Sequence, residues 1–224
     1  MPERDSPTTQ VRSLFLSGPA GRLEALLNTG SDVAARAAVV CHPHPLCGGT
    51  MHNKVVFHIM KALNRTGFPV LRFNFRGVGL SQGEHGYGQG EVEDVRAALE
   101  WLYAEFRLPM VFAGFSFGAA IGLKAASPDP RVEALIAVGT PLGTDGQPEF
   151  DYEFLRGCTK PKLFVSGGHD QYASPAGLEA LVTSLSPPKQ LTLIEEADHF
   201  FEGELEALQR VIEDWTGTES RTTR

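Results

Sequence analysis

Residues Gly114-Phe115-Ser116-Phe117-Gly118 form a G-x-S-x-G motif directly after an apolar hexamer at 110–115 and directly before a run of small residues. That context describes a sharp strand-to-helix turn, with a serine hydroxyl at its tip and glycines where a side chain would collide. The chemistry on offer is nucleophilic attack. A hydroxyl is a weak nucleophile until a base takes its proton, and the base needs a third group to orient it. On turns of this kind the chain order is nucleophile, acid, histidine.

Two histidines lie downstream of Ser116: His169, in Gly167-Gly168-His169-Asp170, and His199, in Ala197-Asp198-His199-Phe200. His199 follows a strand pattern at 190–194 and precedes the final amphipathic segment, a position from which a loop can swing over a central strand. It is assigned as the base, with Asp170 as its orienter. The alternatives for the acid are Asp198, whose side chain as a chain neighbour points elsewhere, and Asp145 or Asp151 from the preceding loop. His169 as base would place the histidine before its own acid.

Acyl transfer also requires two N–H donors facing the developing oxyanion. One is the backbone N–H of Phe117, after the nucleophile and at the head of a helix. The other is expected from the loop His42-Pro43-His44-Pro45-Leu46-Cys47-Gly48-Gly49-Thr50, where the prolines have no N–H to give. His44 is the first choice and Leu46 the second. His42-x-His44, with His52 nearby, also has the look of a metal pair, but without a clear further ligand a structural role is favoured. Arg76, in the glycine-bearing stretch 73–81, is expected to pair with Glu91 or Asp94. Ser81 has no elbow to support it.

These residues need elements to hold them. Apolar periodicity predicts strands at 11–17 and 22–27 around the turn cluster at 18–21, forming an antiparallel hairpin. A strand at 35–41 and a helix at 52–66 follow, then strand 69–75, helix 91–106, strand 110–115 and helix 118–126. Strands at 132–138, 162–166 and 190–194 alternate with helices at 176–185 and 204–215. Strands spaced by helices imply an α/β fold with a mostly parallel sheet of roughly eight strands, covered on both faces, with its chemistry at the carboxyl ends of the strands. Residues 1–10 read as a flexible segment, 11–217 as one domain and 218–224 as a polar tail.

Composition narrows the function classes. The chain has 224 residues, 42% of them hydrophobic and 21% charged, which is ordinary globular usage. A net charge of −7 argues against a nucleic-acid partner. Neither a membrane span nor a signal peptide is read in the sequence, so a cytoplasmic location is expected, with no membrane partner. Cys41, Cys47 and Cys158 form no Cys-x-x-Cys pair and are expected as free thiols, a Cys41–Cys47 bridge being the alternative. Oligomeric state is not legible.

The chain resembles the α/β-hydrolase superfamily over nearly its whole length, through its GFSFG, GGHD and DHFF segments. HPHPLCGGTMHNKVV (42–56) together with RFNFRGVGLSQGE (72–84) is similar to a small, lid-poor group of bacterial α/β hydrolases related to the dienelactone hydrolases. The dienelactone enzymes use a cysteine nucleophile and the superfamily's dehalogenases and epoxide hydrolases an aspartate. Ser116 departs from both.

The expectation is a serine hydrolase cleaving short-chain carboxylic esters through an acyl-enzyme, with catalytic Ser116, Asp170 and His199 and no cofactor or metal. The segment 139–161 has room for at most one short helix over the site. Phe115, Phe117, Tyr172 and Phe200 are expected to line the pocket. A peptidase or thioesterase would use the same residues, and a non-catalytic ligand sensor would reuse the pocket.

Overall fold

The computed structural model describes residues 10–143 and 150–222. Eight strands form one sheet in the order β1-β2-β4-β3-β5-β6-β7-β8. β1 (Val11–Gly18) and β2 (Gly21–Asn28) make the antiparallel hairpin, and β2 also pairs antiparallel with β4 (Val70–Phe73). β3 (Ala37–Cys41), β5 (Met110–Phe115), β6 (Val132–Val138), β7 (Lys162–Gly167) and β8 (Lys189–Ile194) continue the sheet in parallel from β4.

The unbroken apolar runs of the central strands follow from helices on both faces, because a strand's side chains alternate between them. Ala37, Val39, Met110 and Phe112 point into one core, shared with α2 (Gln89–Phe106), α3 (Phe117–Ala126) and α4 (Pro175–Ser184). Ala38, Val40, Val111 and Ala113 point into the other, shared with α1 (Lys54–Arg65) and α5 (Leu205–Thr222).

Element boundaries depart from the apolar pattern where polar groups intervene. α1 starts at Lys54, two residues later than its stripe suggests, because the Asn53 side chain accepts hydrogen bonds from Val55 and Val56 N–H. β4 stops at Phe73: Asn74 N–H still bonds to Glu24 O across from it on β2, but Phe75 N–H leaves the sheet for the ring of His42. α5 continues beyond Trp215 through Thr222, into the polar residues read as a tail, where no apolar stripe marks the helix. Between β6 and β7, a single 3-10 turn at Glu153–Leu155 is the helical structure among the described residues, and none of those residues forms a lid over the sheet.

Candidate active site

Ser116 is the hinge between β5 and α3, at φ +55° and ψ −123°. Its N–H donates to Val138 O at 2.9 Å, while its carbonyl accepts from Ala119 and Ala120 N–H at 2.9 and 3.1 Å. The two motif glycines permit this hairpin. A Cβ on Gly114 would lie 2.5 Å from Gly118 O, and one on Gly118 would lie 2.4 Å from His42 O. The elbow therefore closes only on bare backbone, and it holds Ser116 in a region that costs a side-chain-bearing residue about 1–3 kcal/mol.

Asp170 and His199 are brought together by two loops bonded edge to edge. Gly168 N–H donates to Ile194 O at 2.9 Å and His169 N–H to Ala197 O at 3.0 Å, so the loop after β7 is fastened to the loop after β8. Gly167 lets them touch, because a Cβ there would lie 2.2 Å from Ala197 O. His199 Nδ1 is 2.9 Å from Asp170 Oδ2, and His199 Nε2 is 3.0 Å from Ser116 Oγ. The acid and imidazole side chains are 0% and 3% exposed, so water does not compete for the bond between them. Ser166 Oγ–H also donates to Asp170 Oδ2, and Tyr172 N–H to Oδ1, which fixes the carboxylate. With Asp170 accepting the hydrogen bond from Nδ1–H, Nε2 is left to accept from the serine hydroxyl.

The rival acids have other work or lie elsewhere. Asp198 Oδ1 accepts from Phe200 and Glu202 N–H, shaping the turn before α5. Asp151 accepts from Glu153 N–H at the 3-10 turn. Asp145 lies outside the described residues. His169 is exposed.

The loop after β3 is clamped by the end of β4. His42 is fully buried, its Nδ1–H donating to Pro43 O at 2.7 Å and its Nε2 accepting from Phe75 N–H at 3.0 Å. Both nitrogens are engaged, so the ring has no lone pair for a metal, and burial pulls its pKa down to about 4. Met51 is held at both ends, its N–H donating to Asn74 Oδ1 and its carbonyl accepting from Arg72. Beyond β4, Arg76 makes a bidentate pair with Asp94, while Glu91 caps α2 through Gly86 and Gly88 N–H. Of the two partners expected for Arg76 the structure selects Asp94, whereas the bonds of His42 to Phe75 and of Met51 to Asn74 and Arg72 span 21 or more residues and had no signal in the sequence.

A cleft of about 180 Å³ opens beside Ser116 and His199, with His44, Phe117, Tyr172 and Phe200 in its wall. The ring of Tyr172 lies 4.5 Å from that of His199. Phe115 is not in the wall: it is fully buried behind His199, ring to ring at 5.0 Å, because its place on β5 points it toward α1 and α5. Pro141 and Phe150, which the sequence pattern did not single out, line it instead. The backbone N–H groups of Phe117 and His44 are taken by no acceptor among the described residues. Leu46 N–H is occupied, donating to His44 Nδ1 at 3.2 Å, and Leu46 itself is exposed, which removes it as the second oxyanion donor.

Residues 36–208 match the family model described as an alpha/beta hydrolase domain. An uncharacterized protein of Rickettsia prowazekii is 37% identical over 212 residues, covering 90% of this chain and 87% of that protein. Among solved structures, an alpha-beta serine hydrolase homologue from Coxiella burnetii is 37% identical with a TM-score of 0.82, covering 91% of this chain and 96% of that one. A serine hydrolase without lid from Xanthomonas campestris is 33% identical with a TM-score of 0.81, covering 95% of each chain.

Proposed function

The chain belongs to the α/β-hydrolase family, and from that membership we propose that it is a serine hydrolase cleaving small, short-chain carboxylic esters through an acyl-enzyme. The observation that carries the reading is the unbroken line Asp170–His199–Ser116, with links of 2.9 and 3.0 Å at the mouth of the cleft. His199 Nε2 accepts the Ser116 proton as Oγ bonds to the ester carbonyl carbon. The carbonyl electron pair moves onto oxygen, where Phe117 and His44 N–H receive it; each such donor is worth about 2.7–4 kcal/mol of barrier. Collapse breaks the bond to the alkoxide, which leaves as alcohol with the proton from Nε2. Water then gives a proton to His199, attacks the acyl carbon and releases the acid, and Ser116 regains its hydrogen. Asp170 stabilises the imidazolium throughout. Side chains and water suffice, so the reading calls for no cofactor.

Cleft size supports a small substrate. At about 180 Å³ it falls below the roughly 300–1,000 Å³ of pockets that enclose drug-sized ligands. The test is a fluorophosphonate probe followed by nitrophenyl esters from C2 to C12, with thioesters and peptides in the same panel. Stoichiometric labelling at Ser116, lost in Ser116→Ala, and highest kcat/KM at C2–C4 are expected. An unlabelled protein would mean a sensor, and faster turnover at C12 would overturn the short-chain assignment.

A further inference from the structure

Two side chains on the β3–α1 loop have their accepting atoms committed to the backbone, which leaves only donors over. His44 Nδ1 accepts from Leu46 N–H, so the ring proton sits on Nε2. Asn53 Oδ1 accepts from Val55 and Val56 N–H, so the free end of the amide is Nδ2. Neither His44 Nε2 nor Asn53 Nδ2 meets an acceptor among the described residues, and both residues line the cleft beside Ser116.

The His44 ring is held by neighbours, 4.7 Å from the Phe117 ring and 5.2 Å from that of His85. His85 is in turn 2.9 Å from the buried Glu91 carboxylate. Burial and the adjacent His85 lower the His44 pKa, against a smaller opposing pull from Glu91. The ring is thus a neutral donor. Among the described residues no Lys, Arg, Asp or Glu lines the cleft. A substrate carboxylate would lose its water there without a counter-charge, whereas an uncharged oxygen needs only N–H donors, which these two side chains have to spare.

We propose that His44 Nε2–H and Asn53 Nδ2–H recognise a second, uncharged acceptor oxygen on the acyl part of the substrate. The preferred class is then short esters with an alkoxy or oxo group next to the scissile carbonyl. This rests on the hydrolase reading above. The placement follows from the loop itself, because the residue offering its backbone N–H to the carbonyl oxygen also carries one of the two donors.

Matched substrates test it: 4-nitrophenyl methoxyacetate and 4-nitrophenyl butyrate, whose acyl groups differ by one oxygen in place of one methylene. The readout is the ratio of their kcat/KM values in each variant relative to the unmodified protein, which cancels the greater intrinsic reactivity of the alkoxy ester. His44→Phe is expected to lower the ratio about fivefold to tenfold. Asn53→Asp, which keeps an oxygen to cap α1 but replaces the donor with a carboxylate, is expected to lower it at least as far. Phe200→Leu reshapes the wall without touching a donor, so both rates move together and the ratio stays within about twofold. A ratio unchanged in His44→Phe and Asn53→Asp overturns the inference while leaving the hydrolase reading intact; a ratio unchanged in one of them strikes that residue from it. No turnover of either ester overturns the hydrolase reading, and this inference with it.

Discussion

At the scale of single residues, Ser116, the proposed nucleophile, sits in a backbone conformation that costs stability. Its φ of +55° suits glycine better than any side chain. Ser116→Gly and Ser116→Ala both remove the hydroxyl, and only the first relieves the backbone. Urea denaturation is expected to show the glycine variant about 1 kcal/mol more stable than the alanine variant, with both inactive. Asp170 is tested by its isostere. In the proposed mechanism, the Asp170→Asn amide no longer carries the charge that stabilises imidazolium, and it favours the wrong ring tautomer. A fall in kcat of roughly 1,000- to 10,000-fold is expected, with KM little changed. Retained thermal stability would show that the loss lies in proton transfer rather than in the fold.

Elements decide whether those side chains meet. The loops after β7 and β8 are joined by two backbone hydrogen bonds, and the bare Gly167 allows their approach. In Gly167→Ala the new methyl would lie 2.2 Å from Ala197 O, two residues before His199, so the His199 loop must retreat. A misplacement of the base by even ~1 Å is costly to a proton transfer. We expect kcat to fall about tenfold or more and fluorophosphonate labelling of Ser116 to slow in parallel. Unchanged labelling would show that the loop accommodates the methyl elsewhere. The same logic joins β3 to β4: His42, Asn74 and Arg72 hold the loop that carries His44 against the start of α3.

For the molecule as a whole, His42 couples the site to folding. The ring is fully buried and neutral, its pKa lowered from 6.5 to about 4 by burial. Between those values the unfolded chain binds a proton that the folded chain refuses, so acid favours unfolding. The contribution is complete above about pH 6.5, shrinks as pH falls and is gone below about pH 4. In full it is on the order of 3 kcal/mol. Urea midpoints of the unmodified protein and His42→Gln at pH 7 and pH 4.5 isolate it, because the other titrating groups are common to both. The stability advantage of histidine should narrow by about 2 kcal/mol at the lower pH. A constant difference would mean that the ring is not held neutral. No described helix is long and apolar enough to cross a membrane, and the strands instead bury their apolar faces in two cores on either side of one sheet.

Much of this architecture is written locally. Helix and strand periods, the glycines of the elbow and the polar punctuation between elements are short-range signals, and they place eight strands, five helices and Ser116 within a residue or two of where they stand, except for the end of α5, which runs seven residues past its apolar stripe. His199 and Asp170 follow from chain order and from their positions after strands. Long-range contact settled the rest. The lateral order β4-β3-β5 depends on pairings no window can contain. Phe115 turned away from the cleft because the pleat sent it to the other core. Leu46 lost its free N–H to the ring of His44, and β4 ended early because the His42 ring claimed the amide of Phe75. A sequence records which groups can bond, but the partner that takes each one is set by which distant segments arrive first at hydrogen-bonding distance and shut out water.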